Sequence, residues 1–166
     1  MSPLVVGGPQ ERRRRGGTEN VPAIAGFGVA AESARDWLTH ENITSMLELR
    51  DHFETQLMHR LPEIKINSSG AARAWTTTSV TFPNIKGELL LLMLSERGVY
   101  ASSGSACSSG AFKESTVIAA LGEEEGDWGT VRFSFARTTT REELTQAVEI
   151  ISEAFQKALE VMTSTA

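Results

Sequence analysis

The sequence contains one cysteine, Cys107, among 166 residues. A single thiol cannot form an intramolecular disulfide or a zinc site built from several cysteines. Histidine is also scarce, and His40, His52 and His59 lie in one predicted helical stretch without the spacing of metal ligands. The composition therefore predicts no metal site.

Long hydrophobic runs are absent as well. The longest purely apolar run, Leu89 to Leu94, is far shorter than the ~20 residues of a membrane-spanning helix. No apolar stretch follows the N-terminal arginines, so no secretory signal is evident. We expect a cytoplasmic protein that is not bound to a membrane.

Positive charge is in deficit overall, with a net charge of −5 and a pI near 5.3. This balance argues against nucleic acid as a partner. The exception is the run Arg12 to Arg15, which is typical of a solvated surface but is also compatible with a phosphate or carboxylate site.

What the sequence does contain is enough apolar material for one core, with 40% hydrophobic residues. Its patterns predict an α+β fold, in which a small, mostly antiparallel sheet of about four strands has helices on one face. Residues 1–20 are predicted to be irregular, with Asn20 as the cap of the helix that follows. The predicted helices lie within 21–38, 43–61, 86–97, 112–121 and 140–161, and the predicted strands are 64–66, 76–82, 99–102 and 130–136.

Three features could carry chemistry. Cys107 lies in "YASSGSACSSGAF", a Ser- and Gly-rich context that suits an exposed, mobile nucleophile, although a lone cysteine is commonly a buried structural residue. Arg132, on a predicted strand, could bind a carboxylate through two hydrogen bonds or simply lie at the surface. "GGTEN" before a predicted helix could bind a phosphate or merely cap that helix.

Three stretches, in this order, closely resemble the C-terminal part of cysteine desulfurases. They are "ERRRRGGTENVPAIAGFGVAAE", "FPNIKGELLLLMLSERGVYASSGSACSSG" and "VRFSFARTTTREEL", and the resemblance runs from about Gly7 to Phe155. Cysteine desulfurases are pyridoxal-phosphate enzymes of the class V aminotransferase superfamily. The resemblance implies the C-terminal domain of a fold-type I pyridoxal-phosphate enzyme.

The resemblance also implies residue roles. Cys107 matches the cysteine that takes sulfur from L-cysteine, becomes a persulfide and leaves L-alanine. Arg132 matches the arginine that binds the substrate carboxylate, and Thr18 matches the threonine that reaches the cofactor phosphate across a homodimer. The implied acceptors of sulfur are iron–sulfur scaffold or tRNA-thiolation proteins. Two positions depart from the family's habit, since Gly16 replaces a common Ser or Ala and Ser79 replaces a common Asn.

The family's cofactor-binding lysine has no counterpart, because none of Lys65, Lys86, Lys113 and Lys157 lies in the expected Ser-x-His-Lys context. We therefore expect residues 1–20 to be a partly disordered remnant of the large-domain edge and residues 21–166 to be the small domain. The chain should depend on an N-terminal half and should form no covalent link with pyridoxal phosphate alone. The alternative is a non-catalytic sulfur carrier or interaction module derived from such an enzyme.

Overall fold

The computed structural model describes residues 2–103, 116–120 and 128–164. The chain divides into two compact units, residues 1–42 and residues 43–166. Within the described ranges, no helix is long and apolar enough to cross a membrane, and no group of three or more acidic, histidine or cysteine side chains could hold a metal ion. The predicted domain boundary at residue 20 stays a prediction.

The first unit consists of a small hairpin followed by a helix. Strands β1 (Pro9–Gln10) and β2 (Arg15–Gly16) pair antiparallel, where the sequence predicts irregular structure. Helix α1 (Val21–Trp37) begins as predicted, because the Asn20 side chain accepts a hydrogen bond of 3.1 Å from the Ala23 backbone N–H.

A three-stranded antiparallel sheet organises the second unit. Its order is β3 (Lys65–Ile66), β4 (Thr77–Pro83) and β5 (Trp128–Ser134). Ser102 adds an isolated antiparallel bridge to Arg132, where the sequence predicts a fourth strand. The helices are α2 (His40–Arg60), which begins at the end of the first unit, α3 (Gly87–Glu96), α4 (Thr116–Ala120) and α5 (Arg141–Ser164).

The hydrophobic core lies on one face of this sheet. Alternation along β4 and β5 buries Val80, Phe82 and Val131 on that face. Helix α5 packs there through Phe155, whose ring centroid lies 5.4 Å from that of Phe82. Helix α2 packs there through Phe53, 5.5 Å from the ring of Phe133. The predicted α+β class, with a small antiparallel sheet and helices on one face, is confirmed.

Two helix termini follow their local sequence. At the end of α3, Gly98 adopts a φ of 81°, and the N–H groups of Gly98 and Val99 donate to the carbonyls of Ser95 and Leu94. This is a Schellman motif, which favours glycine because an L side chain is strained at positive φ. At the start of α5, Thr140 and Glu143 bond to each other's backbone N–H at 2.8 and 3.2 Å. The predicted capping box is therefore confirmed.

A buried cluster of charges joins α2 to the segment before β4. Arg73 donates to both oxygens of Glu54 at 2.7 and 2.8 Å. Arg50 donates to the carbonyl oxygens of Arg73 and Ala74 at 3.1 and 2.9 Å. Glu54 and Arg50 are both buried, so these contacts fix where β4 enters the sheet. The sequence patterns did not indicate this cluster.

Candidate functional site

Arg132 lies near the middle of β5, on the sheet face opposite the core. Its strand neighbours Val131 and Phe133 point into the core, so alternation directs Arg132 the other way. Its side chain is exposed, and its register partner on β4 is Ser79. Packing of Val131 and Phe133 in the core therefore places the guanidinium of Arg132 on the opposite face of the sheet.

No carboxylate in the described part of the chain forms an ion pair with Arg132. Other arginines of the second unit are committed, since Arg73 pairs with Glu54 and Arg97 pairs with Glu153. A guanidinium that has no ion pair among the described residues can bind an external carboxylate through two parallel hydrogen bonds. This is the chemistry that the sequence predicts for Arg132.

The segment that leads to Cys107 is anchored to Arg132 by its backbone. The N–H of Arg132 donates to the carbonyl of Ser102 at 2.7 Å, and the N–H of Ser102 donates to the carbonyl of Arg132 at 3.1 Å. Cys107 itself lies outside the described residues. Because it follows Ser102 by five residues, covalent geometry keeps the two Cα atoms within roughly 18 Å of each other. The structure therefore joins the origin of the cysteine segment to the predicted carboxylate-binding arginine.

A network of hydroxyl and amide groups covers the same face beside Arg132. Asn67 donates to the hydroxyls of Ser79 and Thr81 at 3.0 and 2.9 Å. Thr81 in turn contacts the hydroxyl of Thr130 at 3.1 Å. Asn67 and Thr81 are buried, and this mutual bonding satisfies their polar groups. In the sequence, Ser79 stands out only as a departure from the family's habit, and no motif indicates Asn67. The pattern that could have indicated this polar face is the alternation of polar residues in "TTTSVTF".

Thr18 lies in the first unit, just before the N-terminus of α1. It is exposed, and its hydroxyl has no hydrogen-bond partner within the described ranges. Helix N-termini attract anions through their free N–H groups and the helix dipole.

Gly16, which precedes Thr18, is required because two backbone segments pack closely together at this position. A Cβ atom on Gly16 would lie 2.7 Å from the backbone nitrogen of Gly7. The Ser or Ala that is common at this position in cysteine desulfurases would not fit this hairpin without a shift of the backbone.

Pyridoxal phosphate, the cofactor that the resemblance implies, needs a group that binds its phosphate and a lysine amine at its carbonyl carbon. The sequence predicts the hydroxyl of Thr18 for the phosphate and the guanidinium of Arg132 for a substrate carboxylate. The described lysines Lys65, Lys86 and Lys157 are all exposed, on a strand and beside or within helices, and none lies in a cavity that could enclose the cofactor ring. The described residues of this chain therefore do not fit the whole cofactor.

The family model for class V aminotransferases matches residues 7–147. The chain belongs to the class V aminotransferase family. The matched range includes Thr18, Cys107 and Arg132, so the resemblance seen in the motifs extends across both units.

Relatives of this class V aminotransferase chain are named cysteine desulfurases. The cysteine desulfurase IscS of Methanosarcina thermophila is 41% identical over 158 residues, which are 95% of this chain and 39% of that protein. The cysteine desulfurase NifS of Azotobacter vinelandii is 43% identical over 147 residues, covering 88% of this chain and 36% of the relative. The chain thus spans about two fifths of the length of these relatives or less.

Solved structures agree with this membership. A NifS-like protein from Rickettsia africae ESF-5 aligns with a TM-score of 0.77 and 32% identity, over 93% of this chain and 40% of its own. A second NifS-like protein aligns with a TM-score of 0.78 and 32% identity, over 95% of this chain and 40% of its own. The chain therefore has the fold found in part of these NifS-like proteins.

Proposed function

We propose that this chain is the C-terminal, sulfur-accepting part of a cysteine desulfurase. The main support is the pair of backbone hydrogen bonds between Ser102 and Arg132, whose lengths are 2.7 and 3.1 Å. It ties the segment that bears the only cysteine to the strand that presents the exposed guanidinium of Arg132, which forms no ion pair within the described ranges. Relatives named cysteine desulfurases at about 40% identity support the same assignment.

Each of these residues has a proposed role in the reaction. Arg132 binds the carboxylate of L-cysteine in a planar, two-bond geometry that lysine cannot supply. The thiolate of Cys107 attacks the substrate sulfur, so that a sulfur–sulfur bond forms and the carbon–sulfur bond breaks, with its electron pair passing to carbon. Protonation of that carbon leaves L-alanine. Pyridoxal phosphate, held mainly by the lysine-bearing half, supplies the electron sink for that cleavage. Thr18 contributes a hydroxyl to its phosphate.

The proposed partners are the N-terminal half of the enzyme, a second copy in the complete homodimer, and an iron–sulfur scaffold or tRNA-thiolation acceptor. These assignments derive from the family resemblance, as does a cytoplasmic location. A non-catalytic sulfur carrier is the competing function, and it would require Cys107 without Arg132. An exposed guanidinium with no carboxylate partner in the described part of the chain favours the enzyme, because a carrier has no substrate carboxylate to bind.

The test is reconstitution with a lysine-bearing half. The full chain is mixed with the N-terminal part of the Methanosarcina thermophila relative and pyridoxal phosphate, and alanine release from L-cysteine is measured. We expect alanine formation together with a persulfide on Cys107, detected by mass spectrometry. Cys107→Ser should abolish both, while Ser95→Ala, an exposed control on α3, should change neither. Persulfide acquired only from an external donor, without alanine, would instead identify a carrier.

A further inference from the structure

The residue that faces Arg132 across the sheet is Ser79. The N–H and C=O groups of Arg132 both bond to Ser102. In an antiparallel sheet, a residue directs both of these groups to the same neighbouring strand, so those of Arg132 point away from β4. Arg132 and Ser79 are therefore a register pair without mutual backbone hydrogen bonds. Such pairs bring their Cα atoms to about 4.5 Å and their side chains closest together.

The position of Ser79 is fixed by Asn67. The backbone N–H of Asn67 donates to the carbonyl of Ser79 at 2.9 Å, and its side-chain amide donates to the hydroxyl of Ser79 at 3.0 Å. Asn67 is buried, and the same amide also donates to the hydroxyl of Thr81 at 2.9 Å. Because these bonds hold both the backbone and the side chain of Ser79, its oxygen has a defined place on the face that carries Arg132.

The hydroxyl of Ser79 retains a proton to donate. A serine hydroxyl has one donor and two acceptor sites. In Ser79 an acceptor site receives the amide of Asn67, and within the described ranges the O–H has no acceptor. Ser79 is half-buried, whereas the side chain of Arg132 is exposed. A donor held beside a guanidinium is suited to bind a group of negative charge.

We propose that Ser79 is a second substrate-binding residue, whose hydroxyl donates a hydrogen bond to the carboxylate that Arg132 binds. This inference rests on the proposed function and adds a specificity-determining residue to the same site. A carboxylate offers about four lone-pair sites, of which a guanidinium occupies two in the parallel geometry. The remaining sites can accept from Ser79. The pair therefore selects an amino acid over an amine that lacks the carboxylate.

The test measures binding of L-alanine, the proposed product, to the full isotope-labelled chain by nuclear magnetic resonance. We expect a saturable shift of the Nε–H signal of Arg132 with L-alanine and none with ethylamine, which lacks the carboxylate. Ser79→Val should raise the dissociation constant of L-alanine about tenfold, the lower end for a hydrogen bond to a charged group. Ser79→Thr has the same shape but keeps the hydroxyl, so it should stay within about twofold of the unchanged chain.

Two further variants control for structure. Ser79→Ala removes the hydroxyl without adding volume, and it should weaken binding as much as Ser79→Val does. Ser152→Ala is the matched control, because Ser152 is also a half-buried serine, and its hydroxyl donates to the carbonyl of Val148 at 2.7 Å within α5. It should change the dissociation constant by less than about twofold.

The outcomes separate this proposal from the proposed function. Equal affinities of the Ser79→Thr and Ser79→Val chains, or no binding of L-alanine by the unchanged chain, would overturn the role of Ser79. Inorganic phosphate that displaces L-alanine at equal concentration would identify a general anion site and also overturn it. Binding of L-alanine that depends on Ser79, without alanine formation in the reconstituted enzyme, would leave the binding residue standing and reject the proposed function.

Discussion

Arg132 shows how a single residue can be placed for function by its neighbours in sequence. Val131 and Phe133 fill the core, and the period of two along the strand leaves Arg132 on the opposite, polar face. The absence of a carboxylate partner within the described ranges then leaves its charge available. An arginine that served stability would instead resemble Arg73, which is bonded twice to Glu54.

The first prediction concerns the substitution Arg132→Lys in the reconstituted enzyme. Lysine keeps the charge but loses the planar pair of donors, so we expect the apparent binding of L-cysteine to weaken by about 1–2 kcal/mol. The KM for cysteine should rise while the melting temperature of the chain stays unchanged. Arg60→Lys, which alters an exposed ion pair far along the sequence, should leave the KM unaffected. A lowered melting temperature with an unchanged KM would make Arg132 structural.

At the scale of elements, the arrangement depends on contacts between segments rather than on each segment alone. The clearest case is the charged cluster between α2 and the segment before β4. The hydrogen bond to Glu54, more than any other interaction, raises the pKa of the Arg73 guanidinium. The ion pair therefore stabilises the folded chain at neutral pH, and the contribution of the Arg73 charge is lost as the pH rises through that raised pKa in strong alkali.

We predict that Glu54→Gln strongly destabilises the second unit. The variant leaves the guanidinium of Arg73 without its carboxylate in a site where the side chain of Arg73 is only 16% exposed. Breaking a buried pair from one side costs roughly 3–5 kcal/mol. Urea unfolding of the full chain measures this loss. The matched control is Glu149→Gln, which breaks an exposed pair with Arg60 and should cost about 1 kcal/mol or less. Similar losses in both variants would show that burial does not determine the effect.

The contact between α3 and β5 depends on two glycines. A Cβ atom on Gly129 would lie 2.6 Å from the backbone nitrogen of Gly87, closer than real Cβ contacts allow. The start of the helix and the start of the strand therefore meet backbone to backbone. This contact helps to fix the position of β5, and with it the position of Arg132.

We predict that Gly129→Ala lowers the free energy of unfolding by about 1–3 kcal/mol, the range for overpacking a well-packed site. Gly70→Ala is a matched control, since its Cβ would meet no atom within 4 Å. Thermal unfolding of the two variants provides the comparison. Equal stability would mean that the two backbones separate without cost.

At the scale of the whole molecule, the two units differ in how much hydrophobic core they contain. The second unit contains the core, including Phe53, Phe82 and Phe155, and the sheet that presents Arg132. The first unit contains Thr18 and helix α1, which has no buried residue. This difference agrees with the proposal that the chain is one part of a cysteine desulfurase.

The corresponding prediction is that the isolated chain forms no covalent link with pyridoxal phosphate. Schiff-base formation requires an amine held at the carbonyl carbon, and the described lysines are exposed. Borohydride reduction followed by peptide mapping should find no single modified lysine. Adding the lysine-bearing half should give one specific adduct on that half. A specific adduct on this chain alone would contradict the division of roles.

Much of the fold follows from local sequence. The cap at Asn20, the capping box at Thr140 and the glycine after α3 are recognisable because each depends on hydrogen bonds within a few residues. The strands of the sheet are predicted by alternation, which reflects one buried and one open face. The motifs around Thr18, Cys107 and Arg132 sufficed for the family resemblance, because chemistry restricts residue types along short stretches.

Other features required the tertiary structure, because they join residues that are distant in sequence. The cluster of Arg50, Glu54 and Arg73 and the bond from Asn67 to Ser79 depend on packing and register. The close approach of Gly87 and Gly129 depends on packing in the same way. Periodicity predicts the buried side of a strand or helix, but register and packing decide which distant residues meet there, because those contacts form only when the whole unit folds.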